Sequence, residues 1–201
     1  MASTDVEIAN QALLMLGQKT IQDLLEDTPE GLAVRTYYED ARDHTLRDIK
    51  PSFAVKRSAF LALSSNDPPE FGFDHAHALP IDSLLVIGIN LNGSSSFGSD
   101  LGDQQFREWR VEGQDILSDR ANIKILYIHT DASIEALMDS SYVKALAAYL
   151  AAEMSYTLTE STTKFETMMA LYDLRKTAAG TTYGQESSTV RTINDQISIV
   201  R

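Results

Sequence analysis

The residues with the most obvious chemical potential are Asp74-His75-Ala76-His77, where two imidazoles one residue apart can converge on a metal ion from the same face of a strand. A third ligand is not evident beside them. His44 and His129 are distant in sequence, and neither an HExxH spacing nor a carboxylate-rich metal loop occurs. The expectation is therefore of polar residues in a proline-flanked loop or strand, with no metal and no cofactor. The acidic runs Asp23/Glu26/Asp27 and Glu39/Asp40/Asp43 offer general acid and base groups, but a carboxylate run without a pocket reads as a solvated face. Gly-x-Ser-x-Gly, a Walker-type Gly-Lys-Ser and a dinucleotide fingerprint are all missing. These readings favour a protein that is not an enzyme. The competing class is a small-ligand binder or metal-dependent enzyme using Asp74, His75 and His77.

The chain that must position these groups has 201 residues, enough for a single domain or bilobed unit that buries roughly 70% of its extended surface. Hydrophobic residues make up 43% and charged residues 23%, which fits a globular chain rather than a disordered one. A formal charge of -12 argues against a protein that grips nucleic acid by neutralising phosphates. Without cysteine there are no disulfides, thiolate metal sites or thiol nucleophiles. The opening residues lack the basic flank and apolar run of a signal peptide. The longest apolar stretch, residues 145–154, is shorter than the ~20 residues of a membrane span and contains Glu153, so no membrane association is expected.

Helical spacing governs both ends of the chain. Val6, Ala9, Leu13 and Leu16 line one helical face, Thr4 or Asp5 can cap it, and Gly17 can close it. A second helix should start near Pro29 behind Thr28 and stop before Pro51, with Val34, Tyr38, Ala41, Thr45 and Ile49 as its inner stripe. Arg35, Glu39 and Arg42 lie off that stripe and can pair on a solvated face. Residues 141–156 form an alanine-rich helix suited to close helix approach. Residues 165–179 form another, striped with Phe165, Met168, Met169 and Tyr172 and ended by Gly180.

The middle third is instead short, β-branched and punctuated by Gly, Pro and Asp, which reads as strands. Phe53, Val55 and Arg57 alternate with Ala54 and Lys56, while Ile123, Ile125, Tyr127 and His129 alternate with residues that are themselves mostly apolar. The second of these should be a central strand. Residues 107–112 look half exposed, and Glu112-Gly113-Gln114-Asp115 should turn them into a hairpin with Ile116 and Leu117. Residues 93–105 read as a long loop around Phe97 and Leu101, a candidate channel or interface loop.

The expected fold is α+β: an antiparallel helical bundle from residues 1–50 and 131–180, an inserted antiparallel β-rich lobe at 51–130, and an extended C-terminal tail at 181–201. In that tail Ile193, Ile197 and Ile199 share one parity, so as a strand they would face one way and, with Val190 and Arg191, seek a partner's sheet or groove.

The order of these pieces resembles the phage tail tubular protein A family, the head-to-tail adaptors of short-tailed phages. The resemblance spans residues 4–176. Its carriers are Asn10-Gln11-Ala12-Leu13-Leu14-x-Leu16-Gly17, Tyr38-x-x-Ala41-Arg42-Asp43, Phe71-Gly72 through Ala78-Leu79-Pro80, and Val111-Glu112-Gly113-x-x-Ile116-Leu117. It implies a structural virion protein, twelve copies of which form a ring under the portal. The helical lobe would touch the portal and neighbouring copies, and the β-lobe would face the tail nozzle. The family's approach to the Ala-Leu-Pro step looks aromatic-rich, whereas this chain carries His75 and His77 there. The tail after Gly180 is the least family-like part and, by similarity to related adaptors, would reach along the portal. Another neck or head-completion component of similar architecture is the third reading. A bore that passes DNA without gripping it suits the acidic excess, which amounts to ten acidic against five basic residues over 1–50 but two of each over 181–201.

Overall fold

The computed structural model describes residues 4–64, 69–90, 109–131 and 134–186. Within them lie four α-helices and six strands: α1 (Asp5–Leu16), α2 (Pro29–Ile49), β1 (Val55–Arg57), β2 (His75–Ala78), β3 (Ser83–Asn90), β4 (Trp109–Glu112), β5 (Asp115–Ser118), β6 (Lys124–His129), α3 (Ser140–Thr159) and α4 (Thr162–Glu186). The fold is thus mixed α+β, with the strands in two small antiparallel sheets ordered β1-β6-β3 and β2-β5-β4.

The first two helices form where their end signals stand. Thr4 and Glu7 make a reciprocal capping box, and Gly17 closes α1 in the left-handed region at φ 73°. Thr28 Oγ1 accepts from Gly31 N at 3.1 Å at the start of α2. Gly31 itself is required by proximity, because a Cβ there would stand 2.4 Å from the Glu26 carbonyl oxygen. Between the helices Asn10 behaves as a clamp, donating to Ile21 O at 2.9 Å and accepting from Ile21 N at 2.8 Å. That satisfied backbone allows Ile21 to be buried although it lies in a polar connection. Val34, Tyr38, Ala41 and Thr45 are buried as the α2 stripe requires, with Ile49 half-buried.

α3 is the centre of the helical part and packs against α1, α2 and α4. Its alanines permit this, since small side chains let neighbouring backbones approach on several faces. Asp139 caps it by accepting from Ser141 N at 2.7 Å and Tyr142 N at 3.1 Å. Two features of α4 differ from expectation. It runs through Gly180 to Glu186, so residues 181–186 belong to the helix and not to an extended tail. The reason is tertiary: Ala179 and Tyr183 extend the buried line begun by Tyr172, and the Tyr183 hydroxyl hydrogen-bonds the second Asp139 carboxylate oxygen. Phe165, expected in that line, is instead 41% exposed.

β6 is central in its sheet, as its alternation predicts. Its two faces serve different cores. Ile128 joins the large cluster built from the helices, while Ile125 and Tyr127 join Ile116 and Ile123 in a second cluster that Trp109 and Val86 flank. β4 and β5 pair through Glu112↔Asp115, with Gly113 at φ 61° in the tight turn expected there. Phe53 and Ala54 are not strand residues but a 3-10 turn, Ser52–Ala54, because the chain leaving Pro51 must bend Ala54 into the helical core before pairing begins at Val55.

Candidate functional site

The two histidines of β2 share a face, with ring centroids 6.2 Å apart, but their surroundings differ. His75 is half-buried and Asp74 exposed, whereas His77 is fully buried. His77 Nε2 lies 2.8 Å from the Arg120 carbonyl oxygen, which can only accept, so that nitrogen carries the proton. Its Nδ1 is buried without a hydrogen-bond partner. Asp74 anchors the strand's start through its backbone, which donates to Asp119 Oδ1 at 3.3 Å. Asp74, His75 and His77 do not bring three ligand atoms together, so the segment's evident work is to hold the Arg120 turn against β2.

Among the described residues, the three-ligand grouping lies elsewhere. Asp82, His129 and Asp131 place one ligand atom each within 4.8 Å of one another. Backbone pairing creates this site. Lys56 stands opposite Tyr127, Ser83 stands opposite His129, and Thr130 N donates to Asp82 O at 3.0 Å, which draws the turn before β3 onto the end of β6. The Lys56 ammonium donates to Asp82 Oδ2 at 3.0 Å and to Asp131 Oδ2 at 2.5 Å. Tyr127 OH donates to Asp82 Oδ1 at 3.2 Å.

His129 is buried beneath these charges. Burial, reinforced by the Lys56 charge, pushes its imidazole below the usual range against the pull of Asp131 and Asp82. Hydrogen bonds to Asp131 and Asp82 push the Lys56 ammonium up. Burial, then Asp82, pushes the Tyr127 phenol up. The neutral imidazole accepts from Asp131 N at Nδ1, 3.4 Å away, so its hydrogen bond to the Phe53 backbone falls to the other nitrogen. The cluster consequently touches both places where the chain passes between helices and strands, at Phe53 after α2 and at Asp131 before α3. Because Lys56, Asp82 and Asp131 keep side-chain exposures of 39%, 24% and 32%, each ion pair contributes modestly, on the order of 1 kcal/mol or less.

The acidic runs do local work. Asp23 Oδ1 accepts from Leu25 N at 2.8 Å, and Glu26 Oε2 accepts from Gln22 N at 2.9 Å, which shapes the connection between α1 and α2. In the second run Glu39 and Asp40 are exposed. Arg42, expected on a solvated face, is half-buried and bonds Asp43 at 3.0 Å and Glu135 at 3.1 Å. Phe97 and Leu101, and Val190, Arg191, Ile193, Ile197 and Ile199, all lie outside the described residues.

The surface carries many large apolar side chains. On the helical side Leu14, Leu25, Leu32, Tyr156 and Leu174 are each more than half exposed; among the strands and their loops Phe60, Leu63, Phe71 and Ile81 are too. Neither a family model nor a curated protein matches this sequence.

Proposed function

We propose that this chain is a structural virion protein of a short-tailed phage, a head-to-tail adaptor whose copies form a ring joining the portal to the tail nozzle and lining part of the DNA channel. In this reading α1–α4 are an antiparallel bundle lobe, the strands are an inserted lobe toward the nozzle, and the end of the chain reaches the portal. The observation that carries it is the ordered set of motifs over residues 4–176, several of whose members have defined positions here. Asn10 clamps Ile21, Gly17 closes α1, Tyr38 and Ala41 are buried, and Gly113 forms the β4–β5 turn.

The exposed apolar side chains on helices and strands support the reading, since a chain that buries such groups only on assembly has reason to keep them. Ring copy number, twelve, follows from the resemblance alone, as do assembly in the host cytoplasm and residence in the virion neck. Isolated subunits are expected to be monomeric, because portal docking would raise the local concentration of neighbours. DNA passes without specific binding, as the net charge of -12 favours.

The test is electron microscopy of the protein mixed with its portal, which should show a ring; a mixture that never co-assembles counts against the proposal. Truncation should be made after Glu186, since removing residues 181–186 would also remove buried Tyr183. The shortened chain should keep its melting temperature and lose portal binding.

A further inference from the structure

We propose that Asp82, His129 and Asp131 form a binding site for a divalent transition-metal ion, in which the Lys56 ammonium is the resident cation that the metal displaces. The donor set is two carboxylates and one imidazole, a combination suited to zinc, cobalt or manganese rather than to the oxygen-only ligand shells of calcium or magnesium.

The geometry is close to what such an ion needs. His129 Nδ1 and Asp131 Oδ2 are 3.2 Å apart. Ligands held about 2.0–2.2 Å from zinc set neighbouring donor atoms roughly 3.0–3.5 Å from each other, so this pair already spans one edge of a coordination polyhedron. The Asp131 carboxylate already holds a cation there, and Nδ1 takes only the long 3.4 Å bond from Asp131 N, both of which an entering ion would replace. Lys56 supplies that cation from one side, touching Asp131 Oδ2 and Asp82 Oδ2 together. The point where its ammonium sits is therefore a position of concentrated negative potential shared by both carboxylates.

The supporting contacts are also of the right kind. The His129 ring is held by the Phe53 backbone through its second nitrogen, the arrangement that fixes the tautomer and aim of a metal-ligating imidazole. Tyr127 OH holds the remaining oxygen of Asp82. Lys56 ends a flexible stem and is 39% exposed, so it can swing into solvent without disturbing the core. His129 is rigid by burial, whereas the two carboxylates are open enough for an ion to enter between them. The site is independent of the adaptor reading, and its occupancy would tie the end of β6 to the turn before β3.

The test is titration calorimetry of the full chain, stripped with chelator, against zinc chloride and manganese chloride. A cobalt absorption spectrum reports imidazole and carboxylate ligation. Wild type should bind one equivalent. Lys56→Met, which keeps the apolar stem and removes the competing charge, should bind about tenfold more tightly, a change of about 1.4 kcal/mol. Asp131→Asn and His129→Gln should each weaken binding at least about tenfold. Should His129→Gln fail to fold by circular dichroism, the half-buried Asp82→Asn serves in its place. Absence of saturable binding by wild type up to millimolar metal overturns the proposal. Binding that survives unchanged in Asp131→Asn also overturns it, because the ion is then held elsewhere, with His75 and His77 the first residues to examine.

Discussion

α3 and α4 are adjacent helices of 20 and 25 residues, and they are built on opposite principles. α3 buries residues all around its circumference, from Tyr142 and Val143 to Met154 and Ser155, because alanine at 145, 147, 148, 151 and 152 admits neighbours on several sides. α4 buries only Tyr172, Ala179 and Tyr183 among its described side chains and leaves Leu174 69% exposed. Beyond half-buried Met168, Met169 and Leu171, which pack against the core, it relies on polar ties: Tyr172 OH to Asp48 at 2.6 Å, Lys176 Nζ to Asp48 at 2.6 Å, Arg175 to the Lys144 carbonyl at 2.8 Å, and Lys164 to the Leu16 carbonyl at 2.9 Å. A helix packed by volume should fail as a whole when its core is altered. One fastened at a few points should loosen locally.

The largest effect should come from emptying the packed helix. Leu146→Ala is expected to cost about 2–5 kcal/mol in urea unfolding, while Leu174→Ala on α4 costs less than about 0.5 kcal/mol. Equal costs would erase the distinction between the two helices. Filling the packed side should come next: Ala148→Leu is expected to destabilise by about 1–3 kcal/mol, through strain against Tyr172 and its neighbours. An unchanged melting temperature would mean that α4 yields to accommodate the larger residue.

Cutting one fastening should be smaller and local. Asp48→Asn is expected to cost about 1 kcal/mol and to speed amide exchange in α4 before α3. Uniform exchange across both helices would contradict it. The same carboxylate sets a pH dependence. Burial would raise its pKa, but hydrogen bonds from Lys176 and Tyr172 together outweigh burial and hold it below the usual range. A depressed value in the folded state means that this stability is present above the unfolded carboxylate range near pH ~4 and is lost as pH falls through the folded value. Acid titration of wild type and Asp48→Asn should therefore converge at low pH. The smallest effect should be a gain. A Cβ at Gly180 meets nothing within 4 Å, so Gly180→Ala should stabilise α4 by about 0.5–1 kcal/mol, visible as a higher melting temperature.

Gly180 also marks the limit of what local pattern conveys. Gly17 and Gly180 look alike as helix stops, yet only Gly17 takes the left-handed turn. Beyond Gly17 lies a polar connection, whereas beyond Gly180 lies Tyr183, whose burial and bond to Asp139 repay continuing the helix. Phe165 shares the spacing of the stripe yet is 41% exposed, because helical spacing marks a candidate face without fixing which of its residues a neighbour covers. Capped starts at Thr4 and Thr28, the stripe of α2 and the turn at Gly113 were legible because their causes lie within a few residues of their effects. The cluster of Lys56, Asp82, His129 and Asp131 was not legible. His129-x-Asp131 at a strand end was its one local trace.

By itself, then, the order of side chains determined where the first two helices begin, which strand is central, where the hairpin turns and that no thiol chemistry is available. Each follows from backbone sterics, capping or the periodicity of burial, which operate over short stretches of chain. Tertiary structure alone decided that α4 passes its glycine, that His77 turns inward to the Arg120 carbonyl, and that two aspartates, a lysine and a histidine meet at the end of β6. Those outcomes depend on residues tens of positions apart becoming neighbours, and the free energy that selects them appears only once the intervening chain has packed.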